Sequence, residues 1–250
     1  KNTVKTGTGL LADHFTADAR FSKINSDGFI DRAGSDLKSL YFSTAYINKK
    51  STLRFNLFTG NEKTYQAWYG ISEADLINNN RSVNYAGTEK TGEPYSNETD
   101  NYRQTHYQLF FDTKFNDNLV FNTAVFYTKG KGYYEQYKAD EKYSKYNLPN
   151  PVFGSNTLTN SDFISQLWLD NDFYGNIFSL QYKKDNTQFT AGGAVTNYEG
   201  NHFGKLIWAS NGLPDPEHKW YDLDASKTDI NTYAKWQQKI VQHWSTFLDA

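Results

Sequence analysis

The stretch Thr105–Thr128, THYQLFFDTKFNDNLVFNTAVFYT, decides the fold. Its first arm sets Tyr107, Leu109, Phe111, Thr113 and Phe115 against His106, Gln108, Phe110, Asp112 and Lys114, the period of two that a strand imposes on side chains. The second arm repeats the device, with Leu119, Phe121, Thr123, Val125 and Tyr127 on one face and Val120, Asn122, Ala124, Phe126 and Thr128 on the other. Between them lies Asn116-Asp117-Asn118, whose short polar side chains tolerate left-handed backbone and bond their own main chain. The expected result is a hairpin with one apolar, aromatic face and one mostly polar face.

The same device recurs along the chain. Leu40, Phe42, Thr44 and Tyr46 turn at Asn48-Lys49-Lys50 into Leu53, Phe55 and Leu57. Tyr174, Asn176, Phe178, Leu180 and Tyr182 turn at Lys184-Asp185-Asn186 into Phe189, Ala191, Gly193 and Val195. The three tight turns, centred near Lys49, Asp117 and Asp185, fall 68 residues apart, a rhythm of hairpin and long loop without shared loop sequence. A strand precedes the first loop at His14–Phe21, and Ile230–Trp236 and Trp244–Leu248 supply the last two. That makes about nine strands, with Lys1–Gly9 read as a loose lead-in. The long polar segments are expected at Gly70–Asn101, from Gly130 to near Ser161, and at Gly200–Thr228, and all five prolines lie outside strands.

Composition narrows the class. Of 250 residues, 17% are aromatic, with 19 Tyr and 18 Phe, although only 38% are hydrophobic, so rings supply much of the apolar surface. This suits two-sided strands better than helices. A formal charge of -2 with no basic run gives no reason to expect a nucleic-acid partner. The absence of Cys removes disulfides, thiolate metal sites and Cys nucleophiles together. These residues hold no apolar run of membrane-helix length and no secretory leader, and a chain with no Met that begins at Lys1 is expected to be a processed or excised piece that a signal sequence could precede.

All tight turns fall at one end of the array and all long segments at the other. An up-and-down transmembrane β-barrel has that layout, with apolar residues facing lipid, polar residues facing the lumen and aromatic girdles at both interfaces. Tyr46, Phe115 and Tyr182 suit the girdle near the turns, and Tyr69, Tyr127 and Tyr174 the girdle near the loops. The expected fold is therefore all-β, an antiparallel portion of a larger barrel spanning residues 1–250 as one partial domain, because such barrels have even strand numbers and no open edge. The competing reading is a soluble β-sandwich that binds carbohydrate, which requires a second sheet over the apolar face.

Three stretches carry a family resemblance: Ser26-Asp27-Gly28-Phe29-Ile30-Asp31-Arg32 with Asp36-Leu37-Lys38-Ser39, Gly130-Lys131-Gly132-Tyr133-Tyr134-Glu135-Gln136-Tyr137-Lys138, and Asn176–Tyr182. They resemble the barrel of TonB-dependent outer-membrane receptors of the Bacteroidetes type. The resemblance implies a 22-stranded barrel with an N-terminal plug, sited in the Gram-negative outer membrane among its lipids. It also implies energising through TonB by way of the plug, and import of siderophore-bound iron, haem, cobalamin or glycan. Neither plug nor TonB box lies in these residues.

No catalytic motif appears: there is no Gly-x-Ser-x-Gly and no phosphate loop, so the expectation is a non-enzyme without cofactor. The five His show no metal-ligand spacing, although His202 and His218 share one segment, and no metal site is assigned. The expected ligand-binding residues, all placed in extracellular loops, are the rings Trp68, Tyr69, Tyr95, Tyr133, Tyr134, Tyr137 and Trp208, with Arg32, Arg81, Lys131 and His202. Rings stack on sugar or chelate faces and cations neutralise an anionic ligand.

Overall fold

The computed structural model describes residues 1–216 and 218–250. Ten strands form one antiparallel sheet in which each pairs with the next along the chain. They are β1 (Asn2–Gly7), β2 (Phe15–Ser26), β3 (Ser35–Ile47), β4 (Ser51–Tyr65), β5 (Thr99–Asn116), β6 (Leu119–Lys142), β9 (Asn160–Lys184), β10 (Thr187–Ala209), β11 (Lys219–Val241) and β12 (Trp244–Asp249). A two-residue hairpin, β7 (Val152–Phe153) with β8 (Asn156–Thr157), decorates one loop, and a single short helix, α1 (Glu73–Ile77), another. The sheet is open, with β1 and β12 as its edges.

The predicted hairpin forms with the predicted faces, because residues opposite one another across an antiparallel ladder share a face. Leu109 stands opposite Phe55 and Val125, and the row continues through Asn176 and Val195 to Ile230. At the turns, Asn48 Oδ1 accepts from the backbone N–H of Lys50 and Ser51 at 2.8 and 2.7 Å, Asn116 Oδ1 from that of Asn118 at 2.9 Å, and Asp185 adopts a φ of 50°. A fourth tight turn at Gln242-His243 and the 8–14 connection lie at the same end.

Among the described residues nothing covers the apolar face. Leu109 is 40% exposed, Val125 48% and Ile230 70%, although each lies mid-strand beside apolar neighbours. From Phe115 to Tyr107 this belt runs about 27 Å along the strand, a height suited to a tilted membrane-crossing strand. It closes in aromatic rows at both ends: Phe15 with Tyr46 and Phe115 with Phe121 near the turns, and Tyr107 with Tyr127, ring centres 6.0 Å apart, near the loops. Tyr174 continues the upper row opposite Tyr127, whereas Tyr69, expected there, lies outside the strands.

Three expectations are corrected. Asn2–Gly7 is a strand in full register with β2, as its β-branched Thr3, Val4 and Thr6 permit, so the strands of the sheet number ten and not nine. The second and third long segments are mostly strand. β6 and β10 run unbroken to Lys142 and Ala209, and β9 and β11 begin at Asn160 and Lys219, far beyond the apolar belt. Polar residues there read as loop, yet the ladder with neighbouring strands satisfies the backbone whether or not either face is apolar. Consequently Lys131, Tyr133, Tyr134, Tyr137, His202 and Trp208 stand on strands and not in loops.

Candidate ligand-binding mouth

The overshooting strands carry two docked loops. Residues 66–98 are tied down by polar atoms. Tyr65 Oη donates to the Tyr95 carbonyl at 2.7 Å and the Ala86 carbonyl at 3.2 Å, and Arg32 donates to the carbonyls of Asn84 and Ala86 while its guanidinium lies 5.7 Å from the Tyr65 ring centre. Asn84 Nδ2 donates to the Asp31 and Gln66 carbonyls at 2.9 Å, joining the turn after β2 to the long loop. Gly87, with φ +79°, sits where a Cβ would meet Tyr65 Oη at 2.4 Å, so only glycine lets the loop close over that ring.

Two buried carboxylates complete the anchor. Glu135, 3% exposed, accepts from Tyr95 Oη at 2.6 Å, Asn97 Nδ2 at 2.5 Å and Gln166 Nε2 at 2.7 Å, and Gln66 Nε2 donates to its backbone carbonyl at 2.9 Å. Glu98 accepts from the Tyr137 backbone N–H at 3.2 Å, and burial pushes its carboxyl above the ordinary range. Burial and the Glu135 carboxylate hold the Tyr95 phenol well above its usual value, and burial and Asp162 push Tyr137 up to about 12. Both phenols are therefore protonated donors at neutral pH. A buried acid with three neutral donors is held by hydrogen bonds rather than by a countercharge.

The loop after β6 docks through a small apolar core. Its 3₁₀ turn, Tyr143–Tyr146, packs Tyr143 and Tyr146 on Phe163 of β9 and Leu206 of β10, with Leu148 and Trp220 at the margin. Tyr143 and Phe163 meet edge-on at 5.1 Å, as do Tyr146 and Trp220.

Below these loops the polar face is paved by rings lying over glycines. A Cβ on Gly132 would meet Tyr102, one on Gly204 would meet Trp220 and Tyr221, and one on Gly192 would meet Tyr233, all within 3 Å. The absence of a side chain on the partner strand lets each ring lie flat on the sheet. An open groove of about 450 Å³ on this face is bordered by Arg20, Tyr41, Phe58, Glu62, Tyr102 and His106, with the His106 and Phe58 rings stacked at 4.2 Å.

The expected binding residues separate into groups. Trp68 meets Tyr134 edge-on at 5.8 Å, and Tyr95, Tyr137 and Trp208 form a chain of rings spaced 5.8 and 6.3 Å. Tyr133 meets Trp168 tilted at 4.4 Å, Trp168 stacks on Phe203, and Lys131 lies 5.8 Å from the Trp168 ring centre. That row continues the apolar face upward, whereas His202 takes the opposite face of β10. Tyr69 and Arg81 are exposed in the 66–98 loop, and Arg32 serves that loop's anchor. Sequence reasoning missed Glu135, Gln66, Trp168 and Phe203. Glu135 has one usable sign, an acid at period two between Tyr133 and Tyr137.

No protein-family model matches the chain, and no curated protein matches it in sequence. Among solved structures it is similar to BauA, the ferric preacinetobactin receptor of Acinetobacter baumannii, with a TM-score of 0.56 at 10% identity over 99% of this chain. In fold, the chain is similar to part of that receptor: an antiparallel up-and-down sheet of ten strands. It spans 41% of the length of BauA. Weaker likenesses are to the ferric-catecholate import receptor Fiu of E. coli in its closed form (TM-score 0.48, 10% identity, 99% of this chain and 47% of that one) and the ferric yersiniabactin uptake receptor FyuA of Yersinia pestis (0.44, 8%, 98% and 43%). The two docked loops stand at the end of the strands opposite the tight turns, and the ring-paved face runs down the strands from them.

Proposed function

We propose that the chain is one part of the barrel of a Gram-negative outer-membrane receptor, with the apolar belt in lipid and the docked loops outside. The observation that carries this reading is the uncovered belt, bounded by aromatic rows and flanked by tight turns at one end and docked loops at the other. A carbohydrate-binding sandwich would cover that face with a second sheet, and among the described residues the long strands all belong to one sheet.

In this reading the loops and ring-paved face capture an extracellular ligand, and import is energised by TonB acting through a plug outside these residues. The site performs binding and passage, with no enzymatic step. Of the ligand classes that the family resemblance implies, an iron chelate is favoured over haem, cobalamin or glycan, because the fold neighbour is named a ferric preacinetobactin receptor. Rings and protonated phenols would stack on and hydrogen-bond an aromatic or carbonyl-rich chelate. The test is fractionation followed by uptake. The protein should co-sediment with outer membranes and show a heat-dependent shift in gel mobility, and deleting its gene should abolish uptake of a labelled ferric chelate. Recovery as a soluble monomer without detergent would overturn the reading.

A further inference from the structure

The apolar face ends upward in charge, and the two halves of the sheet end in opposite charge. Register sets Lys23, Lys38, Asn61, Arg103 and Lys131 opposite one another on β2 to β6. The same row continues on β9 to β11 as Asp170, Asn201 and Asp224. One row lower, Lys129 is followed by Asp172 and Glu199. The basic sector thus covers β2 to β6 and the acidic sector β9 to β11, on the face that carries the belt.

At the seam the charges cancel: Lys129 reaches Asp170 and Asp172 at 2.8 and 2.7 Å, and Lys131 reaches Asp170 at 2.8 Å. Away from the seam they do not. Lys38 has only Asp36 at 3.4 Å, with both side chains substantially exposed, and among the described residues neither Lys23 nor Arg103 is paired with a carboxylate. Lys23 and Lys38 stand two residues above Phe21 and Leu40 on the same face, about 7 Å along the strand. Long cationic side chains there lie along apolar surface and lift their charge to the membrane interface, where anionic headgroups attract them.

We propose that the β2–β5 sector of this face, through Lys23, Lys38 and Arg103, binds phosphorylated lipid headgroups of the outer leaflet, while the β9–β11 sector excludes them. The inference rests on the outer-membrane reading. The three cations span about 14 Å across four strands, so one sector gathers phosphates and the wall carries a lipid coat uneven around its circumference.

The test uses the full chain extracted in detergent, after heat-modifiable mobility has confirmed its insertion. Lipid retention is read by native mass spectrometry with three probes: a bisphosphorylated glycolipid, the same glycolipid after dephosphorylation, and phosphatidylethanolamine. The phosphorylated probe is expected to be retained selectively. Combined Lys23→Gln, Lys38→Gln and Arg103→Gln should lower its retention about a hundredfold, at roughly fivefold per cation, with heat-modifiability intact. A Glu199→Gln and Asp224→Asn variant should keep or strengthen it. Equal retention of the dephosphorylated probe, or an unchanged triple variant, would overturn the proposal. So would inorganic phosphate binding that needs the same three cations without lipid. If wild-type protein fails to insert at all, the outer-membrane reading falls first.

Discussion

Replacing Glu135 by Leu should undock the 66–98 loop while leaving the sheet intact. The carboxylate is the meeting point of Tyr95 and Asn97 from the loop with Gln166 from β9, at 2.5–2.7 Å. Leucine keeps most of the volume but leaves three donors without an acceptor. Hydrogen bonds to a charged acceptor contribute about 1.5–3 kcal/mol each, and a buried donor left unpaired costs about 1–3 kcal/mol. Three of them put the gross cost at about 3–9 kcal/mol, and release of the loop to water is the cheapest escape, which caps the measured loss. The sheet ladder is untouched, since Glu135 contributes to it only through backbone atoms that leucine also has. Hydrogen exchange in detergent should show residues 84–98 exchanging at least a hundredfold faster, with β4, β5 and β9 protected as in wild type. Glu135→Gln, which retains one carbonyl acceptor, should produce a smaller increase. Unchanged protection across 84–98 in Glu135→Leu would refute the assignment of Glu135 as the anchor.

Further consequences concern both faces and pH. Leu109→Arg, in the middle of the apolar belt, should cost about 2–4 kcal/mol of barrel stability measured by refolding into vesicles, whereas Gln108→Arg on the opposite face should cost far less. Gly132→Ala would push a Cβ to 2.2 Å from the Asn101 carbonyl oxygen, an immovable backbone atom, and should destabilise by about 1–3 kcal/mol on thermal melting. Gly130→Ala meets mainly the free ends of the Tyr102 and Asn171 side chains and should cost less. The Glu98 carboxyl titrates higher in the folded chain than in the unfolded one. Its ionisation therefore opposes docking at neutral pH, and the penalty disappears as pH falls through the raised value toward 4.5. Exchange of the 90–98 backbone, corrected for intrinsic rates, should slow between pH 7.5 and 5, and Glu98→Gln should abolish that dependence.

What could be read in advance follows from which interactions are periodic. The belt is legible because lipid demands an apolar residue at every second position, so Leu109, Phe111, Phe121 and Val125 announce their face without any partner. Above the belt water bathes both faces, nothing selects one residue type over another, and Gly130–Tyr137 looks like loop although β6 runs through it. Rings in these stretches were found for their chemistry, but their grouping was not, because Tyr133 meets Trp168 only through the β6–β9 register, 35 residues apart in sequence. The Glu135 anchor depends on Tyr95 and Asn97 of one loop and Gln166 of β9 converging on β6, and no local pattern encodes that.

The overshoot of the strands explains why a membrane wall should carry so many rings and acids above its belt. In lipid a strand needs only its ladder and an apolar outer face, and the hairpin Thr105–Thr128 suffices for that. A mouth needs loops held at fixed positions in water, where apolar burial on one sheet face is scarce. The molecule meets this twice in different chemistry. One loop is docked by a small aromatic core on Phe163 and Leu206, and the other by hydrogen bonds converging on Glu135 and Glu98. An apolar dock is insensitive to pH, whereas one built on buried carboxylates loosens or tightens with their protonation and fails when a single acceptor is removed. The loop most easily released is therefore 66–98, which carries Trp68 and Tyr95, so these are the rings whose position the protein can change at least cost; in the proposed receptor they would stand at the mouth.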